Sequence, residues 1–233
     1  MTTDNKSPGL ENAQVQYGLF TWGPCCMHIR VSEQFHKKLL DEALKSRVKE
    51  QDYTNRLAGI LKEEYEYKDR QMFLPEISQI LGVYDQAFQK WKNEDYKTKP
   101  HYVLTSLWVN FMKRYEYNPP HDHADQLSFV IFLDVPNEIK EEAKAFKGQS
   151  GGPGSLSFVY GEGNRQAITY QSIIPQNRDM FIFPAWLKHY VAPFYSDVTR
   201  ISVSGNIASA VPLNQVGQDE KTKTVEPAKV KAG

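Results

Sequence analysis

The chain has 233 residues, enough for one sizeable hydrophobic core and short for two full domains. Hydrophobic residues make up 40% and charged residues 24%, the balance of a soluble globule, which excludes a chain disordered or fibrous throughout. Lys and Arg number 28 against 28 Asp and Glu, so no net field draws the protein to nucleic acid or an anionic membrane, and no apolar run approaches the ~20 residues that span a bilayer.

The first twelve residues are polar, without the apolar centre of a signal peptide. Cys25 and Cys26 are the only cysteines, and adjacent residues do not suit disulfide geometry, so both read as structural thiols of a reduced, cytoplasmic protein. Two short extended runs, 17–22 and 25–31, flank Gly23-Pro24. Ser32 then offers an N-cap, and Phe35, Leu39, Leu40, Ala43, Leu44 and Val48 recur at helical spacing, which predicts a helix over 33–49. Residues 57–67 are ambiguous between a short helix and irregular structure. Ile77, Ile80, Leu81, Tyr84, Phe88 and Trp91 predict a second helix over 76–93, their aromatics serving as core.

From Pro100 the character changes. Runs rich in β-branched and aromatic residues cover 102–117, 127–135, 155–160, 167–174, 179–183, 189–194 and 199–207, separated by Pro, Gly and Asn turns that include Asn118-Pro119-Pro120. A short helical insertion is expected at 140–146. Seven strands with little helix between them predict a mainly β fold with N-terminal helices, a sandwich, barrel or jelly roll. Three regions follow: 1–99 as strand and helix support, 100–210 as a β core, and 211–233 as a disordered tail, because 218–233 contain no aromatic residue and too little apolar surface to offset ordering entropy.

His28, His36 and His101 have no neighbours that suggest chemistry. Pro119-Pro120-His121-Asp122-His123-Ala124-Asp125 differs, because residues two apart in an extended chain face one way and can chelate one metal. Two overlapping pairs qualify, His121 with His123 and His123 with Asp125. Further on, His189 opens the run 189–194 and Arg200 lies in Thr199-Arg200-Ile201-Ser202-Val203-Ser204.

These segments, together with Phe183-Pro184-Ala185-Trp186-Leu187 and Arg200-Ile201-Ser202-Val203-Ser204-Gly205-Asn206, resemble the 2-oxoglutarate- and Fe(II)-dependent oxygenase superfamily. The likeness is to a bacterial and phage branch with a prolyl-hydroxylase-like core, and it covers about residues 100–207. It implies a double-stranded β-helix (jelly roll) in which Fe(II) is held by a facial set of three ligands. His123 and His189 belong to that set, with either His121 or Asp125 as the third. A carboxylate would complete the usual triad, whereas Pro119-Pro120 directly before His121 favours the three-histidine register. The resemblance also implies that Arg200 grips the far carboxylate of 2-oxoglutarate through its planar, always-charged fork, with the Ser202 hydroxyl on the same strand face. Imidazole and carboxylate suit Fe(II), and the absence of Cys here argues against structural zinc.

The implied activity is that of a dioxygenase, with 2-oxoglutarate and O2 as partners and hydroxylation of a small-molecule or peptide substrate as the outcome. No membrane partner is expected and nucleic acid is not indicated. Tyr115 and Tyr117 are candidates for pocket or core. Two alternatives stand beside this reading: a vestigial β-helix binding module, and a cupin-like metal protein using three histidines without an oxo-acid.

Overall fold

The computed structural model describes residues 23–67, 70–93, 100–163 and 168–210. The expected run 17–22 and the expected tail 218–233 lie outside these residues. In chain order come β1 (Met27–Arg30), α1 (Glu33–Lys45), β2 (Glu64–Glu66), α2 (Leu74–Lys92), β3 (His101–Met112), β4 (Asn118–His121), β5 (Leu127–Asp134), α3 (Asn137–Ala145), β6 (Leu156–Val159), β7 (Tyr170–Ile173), β8 (Asp179–Pro184), β9 (Lys188–Val191) and β10 (Arg200–Ala210). Six strands form one sheet in the order β1-β8-β5-β10-β3-β2, and four form a second in the order β4-β9-β6-β7, all paired antiparallel. This is the expected jelly roll with added N-terminal strands. Among the described residues no helix is long and apolar enough to cross a membrane.

The period-2 alternation of the strands divides the interior into two cores. Leu107, Val109 and Phe111 of β3, Phe129 and Ile131 of β5, Met180 and Ile182 of β8, and Val203 of β10 face α1 and α2, which bring Phe35, Leu39, Ile77 and Leu81. The intervening residues Met112, Phe132, Phe181 and Phe183 face the other way, into the space between the sheets, where they meet Leu156, Phe158 and Val191. Both helices therefore lie outside the large sheet and leave its inner face to the space between the sheets.

Ser32 caps α1 by accepting a hydrogen bond from the Phe35 amide at 3.2 Å. The helix ends at Lys45 rather than 49, and a 3-10 turn over Lys49–Gln51 follows. The ambiguous 57–67 segment contributes the strand β2, paired to the edge of β3, rather than a helix. The long run 102–117 breaks after Met112, because Tyr115 takes a left-handed φ of 63° and donates its amide to the Phe194 carbonyl. The Asn118-Pro119-Pro120 turn is a strand, β4. It lies at the edge of the small sheet, where a proline's missing N–H costs the ladder least. Cys25 is half-buried and packs against the helix-side core, whereas Cys26 is exposed.

Gly205 lies in β10 between Phe129 of β5 and Leu107 of β3. A Cβ placed there would fall 2.6 Å from Phe129 Cζ and 2.8 Å from the Ser106 carbonyl oxygen. Gly205→Ala is expected to cost about 1–3 kcal/mol, as for overpacking against backbone that cannot yield. An unchanged urea midpoint in that variant would show that the strands separate freely.

Candidate metal centre and co-substrate pocket

Strand β4 pairs antiparallel with β9 so that His121 stands directly opposite His189. Cross-strand partners share a face, and the two rings approach to 4.3 Å between centroids. His123, two residues on, is brought to the same place by its amide, which donates to the Ala185 carbonyl in the β8–β9 turn at 2.8 Å. Its ring centroid lies 5.1 Å from that of His121 and 5.2 Å from that of His189. One ligand atom from each of the three histidines lies within 4.8 Å of the others.

The rings are oriented for ligation. His121 Nδ1 is 2.7 Å from the Pro119 carbonyl oxygen, and His189 Nδ1 is 2.9 Å from that of Leu187. Each carbonyl accepts the Nδ1 hydrogen, which leaves Nε2 with its lone pair for a metal. Burial, reinforced by the neighbouring His121, lowers His123 to about 4 and His189 to about 3. Both are therefore neutral at pH 7, the form that binds metal.

Asp125 is not part of this cluster. Its carboxylate accepts from Thr105 Oγ1 at 2.8 Å, and the same hydroxyl reaches the Asn206 carbonyl oxygen at 3.0 Å. The carboxylate is thus diverted into tying the β4–β5 loop to β3. The remaining histidines serve elsewhere: His36 Nε2 meets the Leu133 carbonyl at 2.7 Å, His28 meets Asp179, and His101 is exposed at the start of β3.

Arg200 begins β10 on the inner face of the large sheet and is only 3% exposed. Nη1 donates to the Gly154 carbonyl at 2.8 Å, Nη2 lies 2.8 Å from Met112 Sδ, and the guanidinium sits 5.4 Å from the Phe132 ring centroid. Gly154 needs to be glycine: its φ is +72° and a Cβ would meet Ile139 at 2.4 Å. Nε is buried with no hydrogen-bond partner among the described residues, and the two Nη groups keep further donors. Burial lowers Arg200 to about 10, so it remains a cation at neutral pH.

One narrow cavity, about 50 Å³ of free interior, is lined by His121, His123 and His189 and also by Arg200. Ser202 and Ser204 follow Arg200 at alternate positions along β10, and Asn110 on β3 points its Nδ2 toward both hydroxyls, at 3.4 and 3.3 Å. Asn110 Oδ1 accepts from Trp108 Nε1 at 3.1 Å, and the Trp108 ring lies 6.1 Å from that of His123. The sequence reading does not pick out Asn110 or Trp108. The one signal they carry is a polar residue on an otherwise apolar strand, Leu107-Trp108-Val109-Asn110-Phe111-Met112. Tyr115 and Tyr117 are exposed, at 59% and 37%, and do not line the cavity.

Residues 106–206 match the sequence profile of the family described as "Putative 2OG-Fe(II) oxygenase". No curated protein matches the chain. A prolyl-4-hydroxylase from Pseudomonas putida superposes with a TM-score of 0.52 at 12% identity, over 80% of this chain and 93% of that one, a likeness of fold. A viral collagen prolyl hydroxylase from Paramecium Bursaria Chlorella virus-1 gives 0.46 at 15% identity, over 80% and 96%. An oxidoreductase of the 2OG-Fe(II) oxygenase family from Burkholderia pseudomallei gives 0.35 at 15% identity, covering 48% of this chain; the chain spans about half the length of that protein, 47%. The jelly roll, the clustered histidines and the profile match point the same way, and residues 106–206 resemble the 2-oxoglutarate- and Fe(II)-dependent oxygenase superfamily.

Proposed function

We propose that the protein is a non-haem Fe(II) dioxygenase that couples 2-oxoglutarate decarboxylation to hydroxylation of a small-molecule or peptide substrate. The observation that carries this reading is the single cavity whose wall contains both the three-histidine cluster and the buried, partly unpartnered Arg200.

His121, His123 and His189 would hold the metal through ring nitrogens, leaving the opposite positions open. When bound, Fe(II) supplies the redox chemistry by which O2 and the oxo-acid are consumed. Arg200 presents Nε and the remaining Nη hydrogens to the far carboxylate of 2-oxoglutarate, and Ser202 adds a hydroxyl on the same face of β10. The low polarity around Phe132 and Met112 strengthens that ion pair and keeps bulk water away from it. Asn110 holds Ser202 and Ser204 in place and is itself fixed by Trp108.

Arg200→Ala is expected to weaken 2-oxoglutarate binding by ~1.5–3 kcal/mol, the range for hydrogen bonds to a charged group, with Fe(II) affinity retained. Titrating 2-oxoglutarate into the anaerobic Fe(II) protein and following the metal-to-ligand absorption band measures this. Equal affinity in variant and wild type would remove Arg200 as the anchor. It would favour a cupin-like metal protein without 2-oxoglutarate turnover, the second reading that an all-histidine cluster supports.

A further inference from the structure

A second and larger cavity opens between the free edges of the two sheets. Its volume is about 440 Å³, within the range of small-molecule sites and well above a packing void. Strand β1 closes one side and β7 the other, and each is the outermost strand of its sheet. The floor consists of Phe158 and Phe181, which belong to the inter-sheet core and are only 6% and 4% exposed. A flat ring can reach such a floor between two strands, whereas a peptide backbone added to either edge would stay at the rim.

The walls are rich in rings: Tyr160, Tyr170 and His28 line the cavity beside those two phenylalanines. Tyr170 has its hydroxyl engaged with Ser157, Tyr190 and the Gly151 amide, so it offers its ring rather than its oxygen. His28 differs. Its ring stacks on Phe181 with centroids 4.7 Å apart and planes 13° from parallel. Its Nε2 lies 3.1 Å from Asp179 Oδ1, and Asp179 is itself buried and fixed by the Gln176 amide at 2.8 Å. In the tautomer that donates Nε2–H to this carboxylate, Nδ1 is the ring's remaining acceptor, its orientation fixed by the stack and the Asp179 contact.

We propose that this cavity is a second ligand site, for a planar aromatic molecule that donates one hydrogen bond, an indole or a phenol. The ring stacks among the aromatic walls and its N–H or O–H meets His28 Nδ1. The site is separate from the histidine cluster: Phe158 and Leu187 form the wall between them, and the metal reading can fail without affecting it.

Calorimetric titration of the full chain with indole and with 1-methylindole, which has the same ring and no donor, tests this directly. One indole per chain is expected, with 1-methylindole about tenfold weaker, the worth of one hydrogen bond. His28→Phe keeps the stack and removes the acceptor, so it should bring indole down to the level of 1-methylindole. Thr169→Trp, which fills the rim without touching the core, should abolish both. Absence of indole binding to the full chain, or equal affinity for the two probes in wild type, would overturn the proposal. So would indole binding seen only after residues 1–22 are deleted, because the chain's own segment would then be the occupant.

Discussion

Bound Fe(II) should fall from about one per chain to none when His189 is replaced by Ala. This is the largest functional effect expected of any single substitution. His189 is 5% exposed, lies opposite His121 across β4–β9, and has its ring fixed by the Leu187 carbonyl, so no neighbouring side chain can take its place. Three facial ligands are the minimum for Fe(II) that must also accept an oxo-acid and O2, and two imidazoles leave it largely to water. His121→Ala should lose metal in the same way. Asp125→Ala should not: its carboxylate bonds Thr105 rather than an imidazole, so the loss should be smaller than the ~10–100-fold typical of groups that hydrogen-bond a metal ligand. Metal analysis after anaerobic loading of the three variants decides it. Iron kept by His121→Ala and lost by Asp125→Ala would make Asp125 the third ligand and require the β4–β5 loop to turn its carboxylate inward.

The largest stability effect is expected at Glu64. This residue pairs with Asn110 across β2–β3, is 1% exposed, and has one carboxyl oxygen without a partner among the described residues. Burial, with the charges of Glu116 and Asp52 added, pushes its carboxyl from 4.5 up to about 8. The folded value lies above the unfolded one, so the unfolded chain releases its proton first as pH rises. Native stability is therefore fully retained below pH 4.5 and lost as pH climbs toward 8, by up to about 4–5 kcal/mol over that window. Glu64→Gln cannot ionise and should remove this dependence. Urea unfolding at pH 5 and pH 8 gives the readout: the variant should gain on wild type by several kcal/mol at pH 8 and little at pH 5. The same difference between the two proteins at both pH values would mean that Glu64 is already ionised in the fold.

Much of the architecture is written locally. The Ser32 cap and the helical stripe Phe35, Leu39 and Ala43 place α1, and period-2 alternation places β5, β8 and β10 along with the face each residue presents. Along β10, Arg200, Ser202 and Ser204 interrupt an apolar strand at every second position, so the face they share is legible in the residue order alone. The same holds for His121 and His123, two apart in an extended segment. Where those faces end up is a different matter. Asn118-Pro119-Pro120 carries every local mark of a turn, and only the edge position of β4 in the small sheet lets two prolines sit in a strand. Residues 57–67 have no clear period, and β2 forms because the β3 edge supplies its hydrogen bonds.

The choice between His121 and Asp125 illustrates the same division. His121–His123 and His123–Asp125 have identical spacing, and spacing reports only which side chains share a face, not what that face meets. The β4–β9 register puts His189 opposite His121, and the register shift between β3 and β10 leaves Thr105 of β3 as an extra residue whose hydroxyl captures Asp125. Sequence by itself determined most strands of the β core, the candidate donors and the cation on β10. Tertiary structure decided which donors meet, because strand register and hydrogen-bond capture join residues far apart in the chain, beyond the reach of any local pattern.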